Sequence, residues 1–224
     1  MSAIQQMLLI GAIETDPYWA YVKALLHFES DLTDSAAAGP TYSFTSSGAI
    51  TNASAIVGAG SLDCRTGSGS GVSSNSRVEL ALGASDFCVE MVFKDTGLSG
   101  ANPWVFLLEG SITNLGLWNL GGNWTANGAG SGFTPAVFTP PTSGVVNHVA
   151  VTRNGNVGTV WVNGVSKQTW NLTGVNYGSG GATSWIGRSS GAGDYRLIID
   201  EWRLTVGVPR YTAPFTPKYP FPSY

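Results

Sequence analysis

The dominant pattern along the chain is a period-two alternation of apolar and polar residues in short runs. In "VKALLHFES", Val22, Ala24, Leu26 and Phe28 fall on one side of an extended segment and Lys23, Leu25, His27 and Glu29 on the other, which predicts a half-buried strand. "DFCVEMVFK" repeats it, with Phe87, Val89, Met91 and Phe93 in the inward places. Further strand-like runs begin at 41 (TYSFT), 60 (GSLDCRT), 76 (SRVELAL), 103 (PWVFLLEG), 115 (LGLWNL), 184 (SWIGR) and 195 (YRLIIDEWRLTV). Their spacing is regular, and no stretch after residue 30 keeps a helical period between caps. The pattern therefore predicts an all-β sandwich of antiparallel strands.

Between these runs the turn chemistry is explicit. "RNGNVGTVWVNG" places Asn-Gly at 154–155 and again at 163–164, and Asn-Gly is the pair that best tolerates the positive φ angles of a type I′ hairpin turn. A three-strand meander is expected there: VVNHVAVTR, GTVWVN and VSKQTW. Two glycine-rich stretches, "TGSGSGVSSNS" at 66 and "GLWNLGGNWTANGAGSG" at 116, read as loops. The ending "RYTAPFTPKYPFPSY" carries four prolines after residue 213 and cannot continue a central strand, because proline has no N–H to give the ladder. The expected organisation is an N-terminal arm over 1–17, a sandwich domain over 18–210 and an extended strap over 211–224, lying across the domain or across a neighbour. The arm's "IQQMLLI" has room for a turn or two of helix, which in isolation needs something to pack on.

Composition narrows the function classes. Charged residues make up only 11%, against 30 Gly and 8 Trp, the balance of a sheet protein with small turn-forming residues. With a net charge of −3 and eleven Lys and Arg scattered singly, no basic stripe is available to neutralise phosphates, so nucleic acid is not an expected partner. The start "MSAIQQMLLIGAI" lacks a positively charged n-region, and "MLLIGAI" is too short to span a bilayer, so neither a signal peptide nor a membrane anchor is expected. Cys64 and Cys88 lie in separate strand-like segments without metal-type spacing. They read as free buried thiols, or as a bridge should their strands be neighbours.

Several of these segments together resemble the concanavalin A-like jelly roll, in particular its laminin G-like branch in bacteriophage virion proteins. "GSLDCRTG" is similar to that family's Gly-Ser-Leu strand, and "DFCVEMVFK" to its Phe-Thr-Ile-Glu-Phe-Trp-Val strand. "NHVAVTRNGNVGTVWVNGV" resembles its central His-Val-Ala-Val hairpin, and "YRLIIDEWRLTVGVPRYTAPFTP" its closing Ile-Asp-Glu-Val-Arg strand with the phage-type ending. "DPYWAYVKALLHFES" looks like the first strand, so the resemblance runs over roughly residues 16 to 217. Val146 and Asn147 depart from it, standing where a Trp and a His are common. The resemblance implies two antiparallel sheets stacked about 10 Å apart, one convex and one concave. Together with the apolar N-terminal arm, the proline-rich tail and the low charge, it leads to the expectation of a non-enzymatic structural protein on the phage particle, decorating capsid or tail, with other virion proteins as partners and an oligomer or lattice as its setting. The alternative is an adhesin for bacterial surface polysaccharide.

Glucan-cleaving relatives of the fold use Glu-x-Asp-x-x-Glu on a strand. The nearest match, Glu29-x-Asp31-x-x-Asp34, ends in a turn and a shortened acid, so no enzyme is expected. Asp200 and Glu201 are adjacent, should point to opposite sheet faces, and are expected to pair with Arg203 or Arg196. His27 and His148 read as ordinary strand histidines without a Gly-x-Ser-x-Gly elbow. No cofactor is expected; calcium is the cation the fold class admits, and Asp31 and Asp34 are the loop acids that would ligate it. For a glycan, Trp118, Asn119, Asn123, Trp124 and Asn127 bring indoles and amides together in one glycine-rich stretch.

Overall fold

The computed structural model describes residues 15–36, 40–45, 48–65, 69–98, 104–109, 114–120, 122–129, 136–188 and 195–224. The first fourteen residues of the expected arm lie outside them. In chain order the strands are β1 (Val22–Leu26), β2 (Tyr42–Thr45), β3 (Ala49–Thr51), β4 (Ser61–Asp63), β5 (Gly71–Ser74), β6 (Phe87–Leu98), β7 (Trp104–Glu109), β8 (Asn114–Leu120), β9 (Asn123–Ala129), β10 (Ala136–Phe138), β11 (Val146–Asn154), β12 (Val157–Val162), β13 (Val165–Asn171), β14 (Thr183–Ile186) and β15 (Tyr195–Val206). The first sheet runs β13-β12-β11-β6-β15-β4-β3, with β1 also paired to β15; the second runs β10-β9-β8-β7-β14-β5-β2. Every pairing is antiparallel. This is the expected jelly-roll sandwich of two antiparallel sheets.

The inward rows meet in one core. Phe87, Val89, Met91 and Phe93 of β6 are fully buried in it, as the alternation predicts. Phe93 stacks on Trp124 of the facing sheet with ring centroids 5.5 Å apart, and Tyr42 meets Trp202 edge-on at 6.3 Å. Each such large side chain contributes roughly 1.5–3 kcal/mol on burial, and these aromatic pairs join the sheets together with the aliphatic rows around them. Cys64 lies in the core, whereas Cys88 points to the other side of the first sheet, beside Ala150 and Trp161, and the two are not bridged.

The two Asn-Gly pairs turn differently. At the second, Asn163 and Gly164 both have positive φ (51° and 78°), the type I′ pattern. At the first, Asn154 still pairs with Val157, so the turn is Gly155-Asn156, and of these only Gly155 has positive φ (58°). Glycine alone at the first central position is the type II′ pattern, one residue later than expected.

Both glycine-rich stretches contain strands rather than only loops. Val72 reaches the core, and Gly71 lets β5 approach β14 so closely that a Cβ there would strike the Ile186 carbonyl. The stretch from 116 forms most of the β8–β9 hairpin, with Trp118 opposite Thr125 and Asn119 opposite Trp124. A β-bulge between Ile199 and Glu201, where two residues of β15 advance against one of β6, changes the face on which the strand's later side chains lie. Ile199 and Trp202 are both core residues, so Asp200 and Glu201 share the outer face instead of dividing between faces.

The strap crosses the outer face of its own first sheet. Tyr211 and Phe215 pack on Cys88, Ala150 and Trp161, and Phe221 packs with Val22, Leu25 and Val92. The strap passes directly over the second Asn-Gly turn, where the Phe215 N–H donates to the Gly164 carbonyl at 3.1 Å. At its end the Asp16 N–H donates to the Tyr224 carbonyl at 2.6 Å, so the two ends of the described chain meet.

Candidate functional site

The outer faces of the two sheets are finished in opposite ways. Under the strap, the first sheet holds a buried charge network. Glu90 accepts from Arg203 Nε (2.9 Å) and from Tyr211 Oη (2.8 Å) and lies 3.0 Å from His148 Nε2. Asp16 accepts from Arg203 Nη1 at 3.0 Å and from both terminal nitrogens of Arg210 at 3.0 and 2.6 Å. Glu90 and Arg203 are both buried. Burial opposes ionisation of Glu90, but the Arg203 charge and the His148 bond outweigh it and hold the carboxyl far below its ordinary range. Isolated charges could not remain there; two acids and two guanidinium groups that satisfy one another can.

The second sheet carries instead an aromatic row on its outer face. Trp104 of β7 pairs directly with Trp118 of β8, and their rings stack with centroids 4.8 Å apart. Gly116 makes this possible: a Cβ there would run into the Trp104 ring, so the missing side chain is the space that the indole fills. On the next strand Trp185 stands opposite Leu107. Its Nε1 donates to Glu109 Oε2 at 2.7 Å, and the Arg188 guanidinium sits 5.2 Å from its ring centroid. Trp104, Trp118 and Trp185 are all partly exposed, as are Glu109 and Arg188. The face thus combines indole surface with a carboxylate and a guanidinium, the groups that pack on a sugar ring and bind its hydroxyls.

The five residues expected to form the glycan site are divided by the hairpin. Trp118 and Asn123 reach the surface. Trp124 is fully buried against Phe93, and Asn119 is buried with its Oδ1 accepting the Gly122 N–H at 3.1 Å. Asn127 holds the register position opposite Gly116, while its side chain lies outside the described part. A loop would have let all five converge; a hairpin alternates them. Trp104 and Glu109, which complete the face, come from a strand whose alternation was visible but whose pairing was not.

The acids expected for calcium do not fit a cation site. Asp31 is exposed and accepts the N–H of Thr33 at 2.8 Å, capping its own turn. Asp34 turns inward and accepts the N–H groups of Leu25 (2.9 Å) and Ala36 (2.8 Å). Burial pushes its carboxyl up to about 6. Among the described residues no group of three or more His, Cys, Asp or Glu could hold a metal ion. Asp200 and Glu201 do not pair with arginine as expected: Asp200 accepts the N–H groups of Ile56 and Val57, both at 2.6 Å, and Glu201 pairs with His27 at 2.9 Å.

A family model described as the concanavalin A-like lectin/glucanases superfamily matches residues 66–205, more than half of the chain. The protein belongs to that superfamily. No curated protein matches it. Among solved structures, the binding domain of Paraclostridial Mosquitocidal Protein 1 is similar with a TM-score of 0.68 at 9% identity, over 86% of this chain and 50% of that one. Domain 4 of AbnA, an extracellular arabinanase from Geobacillus stearothermophilus solved with arabinotriose, gives 0.67 at 17% identity, over 84% and 93%. The botulinum neurotoxin serotype D ligand binding domain, solved with N-acetylneuraminic acid, gives 0.64 at 12%, over 86% and 48%. The chain thus spans about half the length of the two toxin domains and nearly all of the arabinanase domain; at these identities the likeness is one of fold.

Proposed function

We propose that the chain is a lectin-like module that binds a glycan on the outer face of its second sheet and is displayed on a bacteriophage particle. The observation that carries the binding half is the stacked Trp104–Trp118 pair, seated over Gly116, on the face opposite the strap. The superfamily match and the sugar-bound states of two similar structures support it. Display on the particle, on capsid or tail, rests on the phage-type ending and on the apolar arm. Asp16, which follows the first fourteen residues in sequence, bonds to Tyr224 on the strap side. Such an arrangement leaves the aromatic face directed outward, with other virion proteins on the strap side and an oligomer or lattice as the setting.

A glycan array that includes bacterial surface polysaccharides tests the binding half. Trp104→Ala with Trp118→Ala should lower binding at least tenfold, and equal binding by this variant and the parent rejects the site. Imaging of intact phage particles tests display, since density for the module on head or tail is required. A chain lacking residues 1–14 should occupy particles less; undiminished occupancy rejects attachment through the arm.

A further inference from the structure

The strap closes over a second cluster, distinct from both the aromatic face and the Glu90 network. Ser223 Oγ lies 2.8 Å from His27 Nε2, and His27 Nδ1 lies 3.0 and 2.9 Å from the two carboxylate oxygens of Glu201. A carboxylate only accepts, so Nδ1 carries the proton of the neutral ring and Nε2 is left to accept from the Ser223 hydroxyl. Glu201 is fully buried and is fixed further by the Phe221 N–H at 3.2 Å. His27 keeps 20% of its side chain exposed and, with Ser223, lines an open cleft of about 680 Å³ whose walls include Lys218, Tyr219 and Tyr224. Hydroxyl, imidazole and buried acid are in series, with the hydroxyl end at solvent.

We propose that Ser223, His27 and Glu201 act as nucleophile, base and positioning acid in the cleavage of a small carboxylic ester. Fastening the strap needs only a hydroxyl and an acceptor; a cleft at the hydroxyl and an acid behind the base are what acyl transfer needs in addition. Ser223 Oγ bonds to the acyl carbon as its proton passes to His27 Nε2. The ester C–O bond then breaks, and the alcohol leaves with that proton. Water adds to the acyl-serine, giving one proton to His27; the carboxylic acid departs and the Ser223 hydroxyl is restored. Glu201 touches no reacting atom: it sets the tautomer and steadies the imidazolium. Burial pulls His27 down, but the bond and charge of Glu201 more than offset it and leave the imidazole above its ordinary range, so the base form is reached at higher pH than for an ordinary histidine.

The test uses the full chain with p-nitrophenyl acetate as substrate and a fluorophosphonate as covalent probe. A single adduct on Ser223, absent from Ser223→Ala, is expected, with hydrolysis that climbs to a plateau at alkaline pH. Glu201→Gln should lower kcat at least tenfold with little change in KM and move the pH midpoint downward, which loss of a merely structural contact would not do. Circular dichroism of Ser223→Ala should match the parent, which separates chemistry from folding. The proposal is overturned if no adduct forms on Ser223 of the parent, if Ser223→Ala hydrolyses the ester as fast as the parent, or if His27→Gln is labelled at the parental rate.

Discussion

Trp118 and Trp124 lie on opposite faces of the same hairpin: Trp118 stacks on Trp104 at the surface, and Trp124 stacks on Phe93 in the core. The register forces this, because Trp124 is opposite Asn119, one residue beyond Trp118. The two tryptophans should therefore separate stability from binding. Trp124→Ala removes a fully buried indole and should cost about 3–5 kcal/mol in urea unfolding. Trp118→Ala loses mainly one aromatic pair, worth about 1 kcal/mol, but should abolish most glycan binding. Equal losses of stability would mean that the hairpin register is wrong.

Gly164 tests how the strap is held. It has φ 78°, and a Cβ added there would collide with the Phe215 carbonyl. Gly164→Ala should cost about 1–3 kcal/mol from backbone strain and lift the strap over that turn. Limited proteolysis should then cut faster after Tyr211, Phe215 and Lys218, with a melting temperature lower by several degrees. The same substitution at Gly174 (φ 75°), where a Cβ meets nothing, should strain the backbone but leave strap cleavage unchanged.

Local signals in the sequence located most of the strands and the meander, because period-two alternation and turn chemistry act over a few residues. What they could not carry was parity. A bulge costs one residue and reverses the face of everything after it, so Asp200 and Glu201 could not be assigned to faces from spacing alone. Nor could the networks be read: Arg203 meets Asp16 across 187 positions, and His27 meets Ser223 across 196. The glycine-rich stretches misled for a related reason. Gly71 and Gly116 signal close approach by a neighbour, which looks the same in sequence as a flexible loop.

Stability should be greatest in mild acid. Burial raises Asp34 and Asp200 to about 6, so the folded chain holds those protons more tightly than the unfolded one. That stability is fully present below pH 3.8 and lost as pH rises through about 6. His27, raised above 6.5, acts in the same direction in a higher window. Glu90, held far below its ordinary range, acts oppositely: its stabilisation is present above 4.5 and is lost only at low pH. The melting temperature should therefore fall between pH 5 and pH 8, and Asp34→Asn and Asp200→Asn should each flatten that decline. A melting temperature that rises over this interval contradicts the assignment.

The thiols offer a check on the sheet itself. Cys64 and Cys88 are buried on opposite faces of the first sheet, so no bridge can join them without unfolding it. Burial also raises the Cys88 thiol well above its ordinary range, suppressing the reactive thiolate. A thiol reagent should find neither cysteine in the native protein within the dead time and two in denaturant, and reductant should leave the melting temperature unchanged. Rapid labelling of Cys88 alone would indicate that the strap opens readily.

Glu90→Gln addresses what the strap is worth. Glu90 is the shared acceptor for Arg203, His148 and Tyr211, and of these only Tyr211 belongs to the strap. Removing its charge leaves Arg203 buried against an amide whose N–H₂ faces other donors, which is the costly way to break a buried pair, at about 3–5 kcal/mol. Tyr211→Phe removes only the strap's bond to the same carboxylate and should cost about 1 kcal/mol. If the network mainly fastens the strap, proteolysis of residues 211–224 should quicken in both variants. If it mainly neutralises the sheet, Glu90→Gln should lower global stability, measured by urea unfolding, much further than it speeds strap cleavage. The burial of Arg203 between Glu90, Asp16 and the Phe221 ring, 4.2 Å from its guanidinium carbon, favours the second outcome, because an arginine so enclosed has no route to water when its acid is lost.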